Sequence, residues 1–68
     1  MGYKMYILVM QNAQPLGYIK SISFLNGTYT ITYNKRSAKS YNGRAAVEKD
    51  LRALAAMPTE MGISFIVG

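Results

Sequence analysis

The alternation of apolar positions at the start of the chain predicts a strand that is apolar on both faces. Residues 3–10 are rich in aromatic and aliphatic side chains and contain no breaker. The two alternating sets are Met5, Ile7 and Val9 on one face, and Tyr6, Leu8 and Met10 on the other. Such a strand is buried on both sides, so we expect it at the centre of a sheet or beneath a partner. Residues 11–15 then predict a turn, because Pro15 cannot donate a ladder hydrogen bond.

Residues 18–34 predict a β-hairpin around Asn26-Gly27, a pair that tolerates the positive φ angles of a type I′ turn. A two-residue turn there pairs Phe24 with Tyr29 and Ile22 with Ile31. This register separates an apolar face from a face lined by hydroxyl groups. The apolar face contains Ile22, Phe24, Tyr29, Ile31 and Tyr33, and the hydroxyl-lined face contains Ser21, Ser23, Thr30 and Thr32.

Residues 43–57 predict a helix, with Ser40 or Asn42 as its N-cap and Pro58 as its end. Its apolar stripe, at helical spacing, contains Ala46, Val47, Leu51, Leu54 and Ala55. The acidic residues Glu48 and Asp50 point about 200° apart, and we expect both to be solvated surface charges. The opposite side is formed by Arg44, Glu48, Lys49 and Arg52.

A last apolar strand at residues 63–67 completes the order β-β-β-α-β. This order predicts a single α+β domain over residues 1–68, with a four-stranded, mainly antiparallel sheet and one helix packed on one face. One helix covers only one sheet face, which leaves an apolar stripe uncovered. We therefore expect a homodimer, because a two-fold axis lets the same stripe meet itself. The predicted interface contains Met5, Tyr6, Leu8, Met10 and Ile66.

The composition excludes most kinds of catalytic site. The chain has no cysteine and no histidine, so it has no disulfide, thiol nucleophile, imidazole base or ordinary zinc site. It also lacks the common nucleotide-binding, hydrolase and metalloprotease motifs. We therefore expect a non-enzymatic binding protein with no catalytic residues, no metal and no cofactor.

The charge balance adds a candidate anion site. Eight basic residues stand against three acidic ones, for a net charge of +5. The basic residues concentrate between the hairpin and the helix start, where free backbone N–H groups favour anions. Cations flanked by aromatic rings suit single-stranded nucleic acid, and the alternative is a solvated loop whose tyrosines anchor it to the core. The candidate contacts are Tyr33, Lys35, Arg36, Lys39, Tyr41 and Arg44.

The layout resembles the short proteins encoded in phage and prophage genomes of bacteria. An opening YILVM strand and an NG hairpin are followed by SAKSY and a helix beginning GRAAVEKDL, and the likeness runs from Tyr6 to Leu54. In those proteins an Ala-Lys-x-aromatic step precedes the helix, matched here by Ala38, Lys39 and Tyr41. The resemblance implies an accessory protein that binds and modulates a host protein. The alternative function is a small nucleic-acid-binding protein that uses residues 35–44.

The expected location is the cytoplasm, and that of the host cell if the chain is phage-encoded. The longest apolar run, residues 5–10, is far shorter than the roughly 20 residues that a membrane span needs. No membrane partner is therefore expected. The absence of disulfides in so small a domain also favours an intracellular setting.

Overall fold

The fold is a four-stranded antiparallel sheet with one α-helix packed against it. The computed structural model describes residues 4–57 and 59–68. The elements are β1 (Ile7–Gln11), β2 (Gln14–Ser23), β3 (Thr28–Thr32), α1 (Arg44–Ala56) and β4 (Ile63–Val67). The strand order is β3-β2-β1-β4, which confirms the α+β class and the element order and places the first strand at the centre, one of the two predicted alternatives.

The turn between β1 and β2 is tighter than the sequence pattern predicted. Gln11 lies opposite Gln14, so that Asn12 and Ala13 alone make the turn, with φ angles of 50° and 68°. Both positive angles are typical of the type I′ turns that join twisted strands. Pro15 therefore belongs to β2, where it lies opposite Met10, rather than to a longer loop.

Two β-bulges change the direction of β2. Its register against β1 shifts between Val9 and Met10, and its register against β3 shifts between Ile19 and Ser21, so the extra residues are Leu16 and Lys20. Bulges bend a strand and increase its twist. Strict alternation would place Ile19 and Ile22 on opposite faces, whereas both pack in the core. The bulge at Lys20 is the reason.

The hairpin between β2 and β3 has a different register from the predicted one. Ile22 lies opposite Tyr29 and Ser23 opposite Thr28, while the Gly27 N–H donates to the Ser23 carbonyl oxygen at 2.8 Å. The predicted pairs of Phe24 with Tyr29 and of Ile22 with Ile31 are therefore wrong. Gly27 has a positive φ of 67° but its neighbour Asn26 does not, so the two residues cannot form a type I′ turn.

The predicted register is wrong by two residues. Because side chains alternate between faces with a period of two, this shift leaves the central hairpin side chains on their predicted faces. Ile22, Tyr29 and Ile31 pack against the core as predicted. Phe24 is turned into the loop and is 57% exposed, and Tyr33 lies beyond the end of β3 and is 87% exposed. Both residues were predicted on the apolar face, and that prediction is wrong.

The sheet curls until side chains from its two edge strands touch. The rings of Tyr29 on β3 and Phe65 on β4 meet edge to face, with their centroids 5.4 Å apart. Gly17 is buried on β2, where an added Cβ would come within 3.0 Å of the Thr32 carbonyl oxygen. Helix α1 packs against the same face, where Val47 and Leu54 join the core. The buried core comprises Ile7, Val9, Ile19, Tyr41, Val47 and Leu54.

Helix α1 begins without the predicted side-chain cap. Its N-cap is Gly43, which makes no capping hydrogen bond from a side chain, so the predictions for Ser40 and Asn42 are wrong. The reason lies just before the helix, where Tyr41 forms a β-bridge with Met5 and holds the chain extended up to the helix start. At the other end α1 stops at Ala56, and Pro58 lies outside the described residues.

The apolar stripe of α1 is narrower than predicted. Val47 and Leu54 are buried and Leu51 is partly buried, whereas Ala46 and Ala55 are exposed. The curled sheet contacts only the centre of the stripe. Small side chains at its margins therefore face solvent.

We expect Ala13→Gly to raise the free energy of unfolding by about 0.5–1 kcal/mol, because glycine adopts a positive φ without a Cβ clash. Urea denaturation of the variant and the parent protein measures this. Ala46→Gly is the control, since the same exchange at an exposed helical position lowers stability by up to about 1 kcal/mol. Equal losses in both variants would contradict the turn geometry.

The core geometry predicts that Leu54→Ala costs about 2–5 kcal/mol of unfolding free energy, because the side chain is fully buried. Leu51→Ala removes the same atoms from a partly exposed position and should cost clearly less. Thermal and urea unfolding compare the two variants. If Leu51→Ala is as damaging as Leu54→Ala, the helix is packed differently.

Candidate functional site

A buried carboxylate links the segment before α1 to the helix. Asp50 is only 7% exposed, so the prediction that it is a solvated surface charge is wrong. It lies three residues after Val47 and four before Leu54, and these spacings place it on the buried side of α1. Its Oδ2 accepts hydrogen bonds from the Tyr41 hydroxyl at 2.5 Å and from Lys39 Nζ at 2.9 Å.

These contacts move the pKa values of both buried partners. Burial by itself would raise the pKa of Asp50, but hydrogen bonds from Tyr41 and Lys39 and the positive charges of Lys39 and Lys49 outweigh it, and the pKa is lowered. Burial, and then the hydrogen bond to Asp50 and its negative charge, raise the pKa of Tyr41 well above the ordinary value. The cluster therefore holds a charged carboxylate and a neutral phenol near neutral pH.

The same cluster removes two residues from the predicted anion site. Tyr41 is 4% exposed and belongs to the core, so its ring is not available for stacking. The ammonium of Lys39 forms a salt bridge with Asp50. For Tyr41 this outcome matches the alternative interpretation, in which the tyrosines anchor a solvated loop to the core, whereas Tyr33 is 87% exposed and does not anchor it.

The other four candidate contacts do not form one cluster. Arg44 lies on the helix side, beside a cavity lined by Met5, Val47 and Val67. Lys35 and Arg36 belong to a 3-10 turn at Lys35–Ser37, whose N-cap Asn34 accepts a hydrogen bond from the Arg36 N–H at 3.0 Å. Arg36 and Tyr33 are exposed, and Lys35 extends to the sheet face opposite the helix.

That sheet face, which we call the open face, carries an apolar and aromatic surface. Leu8 pairs with Tyr18 on one side and with Ile66 on the other, and paired residues share a face. Ile7 and Val9 point the opposite way, into the core. The open face comprises Tyr6, Leu8, Met10, Tyr18 and Ile66, with Lys35 above it.

This placement divides the predicted dimer interface. Tyr6, Leu8, Met10 and Ile66 all lie on the open face. Met5 packs against the core instead, because its bridge with Tyr41 places it on the helix side. The predicted stripe of five residues is therefore four on one face and one on the other.

Two tyrosine rings and a lysine form the centre of the open face. The rings of Tyr6 and Tyr18 meet edge to face, with centroids 6.2 Å apart. Lys35 Nζ lies 4.9 Å from the Tyr6 centroid and 5.6 Å from that of Tyr18, within the range of cation–π attraction. Tyr18 was not among the residues predicted from the sequence, because its place on this face depends on the register set by the tight β1–β2 turn.

The carboxylates lie away from the open face, so its charge is positive. Glu48 and Asp50 belong to α1. Glu60 lines a cavity with Tyr29 and Ile63, whose side chains point to the helix side. Lys35 therefore has no acidic side chain beside it on its own face among the described residues.

Comparisons with known proteins identify no relative, since no family model, curated protein or solved structure matches the chain. Within residues 4–57 and 59–68, no group of three or more potential ligands is placed to hold a metal ion. No helix in this part of the chain is long and apolar enough to cross a membrane. The site must be interpreted from its own geometry.

The Asp50 cluster predicts a specific dependence of stability on pH. Since the folded-state pKa is below that of the unfolded chain, the charge of Asp50 stabilises the protein above about pH 4. This stabilisation is lost as the pH falls through the lower, folded-state pKa. We expect Asp50→Asn to cost about 1–3 kcal/mol at pH 7, and the difference from the parent protein to shrink towards pH 2. Urea denaturation across this range measures it.

Tyr41→Phe is the matched variant for the alkaline range. The raised pKa means that the neutral phenol stabilises the fold below about pH 10, and that this contribution disappears as the pH rises further. The parent should lose stability above pH 10 more steeply than Tyr41→Phe does. Parallel curves for the parent and both variants would contradict the role of the cluster.

Proposed function

We propose that this protein binds single-stranded nucleic acid on the open face. The observation that carries the proposal is the pair of tyrosine rings, Tyr6 and Tyr18, beneath the ammonium of Lys35. Unpaired bases stack on aromatic side chains, and a lysine beside them pairs with the backbone phosphate. The face combines both elements within one small surface.

The distribution of charge supports the same ligand. The chain carries a net charge of +5, and its carboxylates in α1 and near Ile63 are on the helix side. A polyanion approaching the open face therefore meets attraction from the whole molecule and little local repulsion. Stacking on tyrosine requires exposed base faces, which favours single strands over a duplex.

The proposal changes the nucleic-acid site that the sequence predicted. Lys35 is retained, the exposed Arg36 adds a second cation in the same turn, and the exposed Tyr33 lies just before that turn. Tyr41 and Lys39 stabilise the fold instead, and Arg44 lies on the helix side. In the phage-type setting implied by the resemblance, the protein would act in the host cytoplasm on single-stranded intermediates.

The second candidate function is the predicted homodimer, with the open face as its interface. Ile66 is 46% exposed beside Leu8, and such an apolar stripe suits contact with a second copy or a host protein. Lys35 argues against a symmetric dimer, because a two-fold axis through this face would bring the Lys35 side chains of the two copies close together. We therefore place nucleic acid first.

Fluorescence anisotropy with labelled single-stranded DNA and RNA oligonucleotides tests the proposal. Tyr6→Leu or Tyr18→Leu keeps apolar volume but removes a stacking surface, and each should weaken binding about 5- to 150-fold, equivalent to ~1–3 kcal/mol. Lys35→Gln should also weaken binding and reduce the log-log salt slope by about 0.7, the value for one phosphate of a single strand. A duplex of the same length should bind less tightly.

Arg44→Gln is the control, because it removes the same charge from the helix side. Equal effects of Arg44→Gln and Lys35→Gln would show that only net charge matters, and the open-face site would be wrong. Sedimentation of the parent protein tests the second candidate. A stable dimer that Ile66→Lys disperses, together with absent oligonucleotide binding, would assign the open face to self-association.

A further inference from the structure

Strand β4 has an edge with unpaired backbone groups. The Gly68 N–H donates to the Tyr6 carbonyl oxygen at 2.8 Å, which sets the phase of the ladder with β1. Along an antiparallel strand, residues that hydrogen-bond to the neighbouring strand alternate with residues that do not. Ile66 therefore bonds to β1, while Phe65 and Val67 direct their N–H and C=O groups away from the sheet. In the part of the chain that the structure describes, no other backbone group bonds to Phe65 or Val67 on that side.

This edge lacks the usual protection against strand pairing. Natural edge strands carry charges, proline or bulges that block an incoming strand. Residues 63–67 read ISFIV, and their register with β1 is regular throughout. Among residues 4–57 and 59–68, the edge is closed only near its start, where the Ile63 N–H donates to the Glu60 carbonyl oxygen at 3.3 Å.

A groove runs between this strand and α1. Its volume is about 470 Å³, and its wall is mostly apolar. The helix contributes Arg52 to the same groove, and Arg52 is exposed. The only salt bridge within the described residues joins Lys39 and Asp50, and no carboxylate lines the groove. The apolar lining residues are Leu51, Leu54, Ala55, Ile63 and Phe65.

We propose that β4 and this groove bind an extended acidic segment of another protein by strand addition. The free N–H and C=O groups of Phe65 and Val67 pair with the backbone of the segment. Alternate side chains enter the groove, as in other peptide sites formed by an edge strand. A glutamate or aspartate in the segment meets Arg52, and the net charge of +5 adds to this attraction.

A second copy of the chain fits this site less well. Strand β4 contains no acidic residue, so a copy would bring nothing to neutralise Arg52. It would also bring a second net charge of +5. The site is separate from the open face, and its test is independent of nucleic-acid binding.

The test uses synthetic, end-blocked peptides in which threonine alternates with a groove-facing set of valine, glutamate and valine, so that apolar and acidic side chains share one face, and the same peptides with lysine in place of the glutamate. Isothermal titration calorimetry should show binding of the glutamate peptide and at least tenfold weaker binding of the lysine peptide. Two further versions carry N-methyl groups on alternate amides, in one phase or the other. Only one phase faces β4, so one version should lose binding and the other should retain it.

Variants of the protein test the two sides of the site separately. Val67→Pro removes an outward N–H that β1 does not use, and it should weaken binding of the glutamate peptide at least tenfold. The control Val67→Ala keeps the N–H and should bind the peptide within about threefold of the parent. Arg52→Gln should reduce the preference for glutamate over lysine. Lys35→Gln, on the open face, lowers the net charge equally but should reduce the preference for glutamate over lysine less than Arg52→Gln does.

Three outcomes would overturn the proposal. The first is equal binding of the glutamate and lysine peptides, and the second is an equal loss of binding in the two N-methylated versions. The third is no binding of either peptide at millimolar concentration. A dimer of the parent protein that Val67→Pro converts to a monomer would assign the edge to a second copy instead. Thermal unfolding of each variant first establishes that it folds.

Discussion

A single short helix has to cover one face of a four-stranded sheet, and most features of this protein depend on that constraint. Helix α1 contacts the sheet through a narrow stripe centred on Val47 and Leu54. A flat sheet would leave part of its inner face in water. The two bulges in β2 curl the sheet, and Tyr29 and Phe65 close over the part that the helix does not reach.

The hydrogen bonds of Asp50 hold the helix in the position that this arrangement requires. A buried carboxylate is costly unless its charge and lone pairs are satisfied. Here Tyr41 and Lys39 both donate to Oδ2 and Lys39 supplies the opposite charge, while the bridge between Tyr41 and Met5 ties the same segment to the sheet. The cluster thus connects three parts of the chain. It also removes one ring and one cation from the surface, which leaves the remaining cations to define the candidate binding sites.

Both proposed surfaces exist because few elements are available to cover the sheet. Because α1 lies on the concave side, the convex side presents Tyr6 and Tyr18 beneath Lys35. Because no further strand follows β4 within the described sheet, its outer backbone groups and the groove beside it stay accessible. One surface offers stacking rings and a cation, and the other offers backbone hydrogen bonds and an apolar groove. They therefore suit chemically different ligands.

The sequence by itself determined the elements and their order, since strand alternation, the helical stripe and the last apolar run depend on local spacing. It also determined that Ile7 and Val9 share a face distinct from that of Leu8. Only the tertiary structure decided the hairpin register, because Asn26 does not adopt the positive φ that the Asn-Gly pattern suggested, and the bulge at Lys20 is not encoded by a simple alternation.

The candidate sites show the same division between local and long-range information. Lys35 was identified from its local charge cluster, but its position over Tyr6 and Tyr18 depends on pairing between residues far apart in the chain. Asp50 looked like a solvated charge, because helical position alone does not reveal that Tyr41 and Lys39 lie within hydrogen-bonding distance. Spacing along the chain therefore determined which residues share a strand or helix face. Long-range packing decided which of those faces meet, and hence which charges are neutralised and which stay available for a ligand.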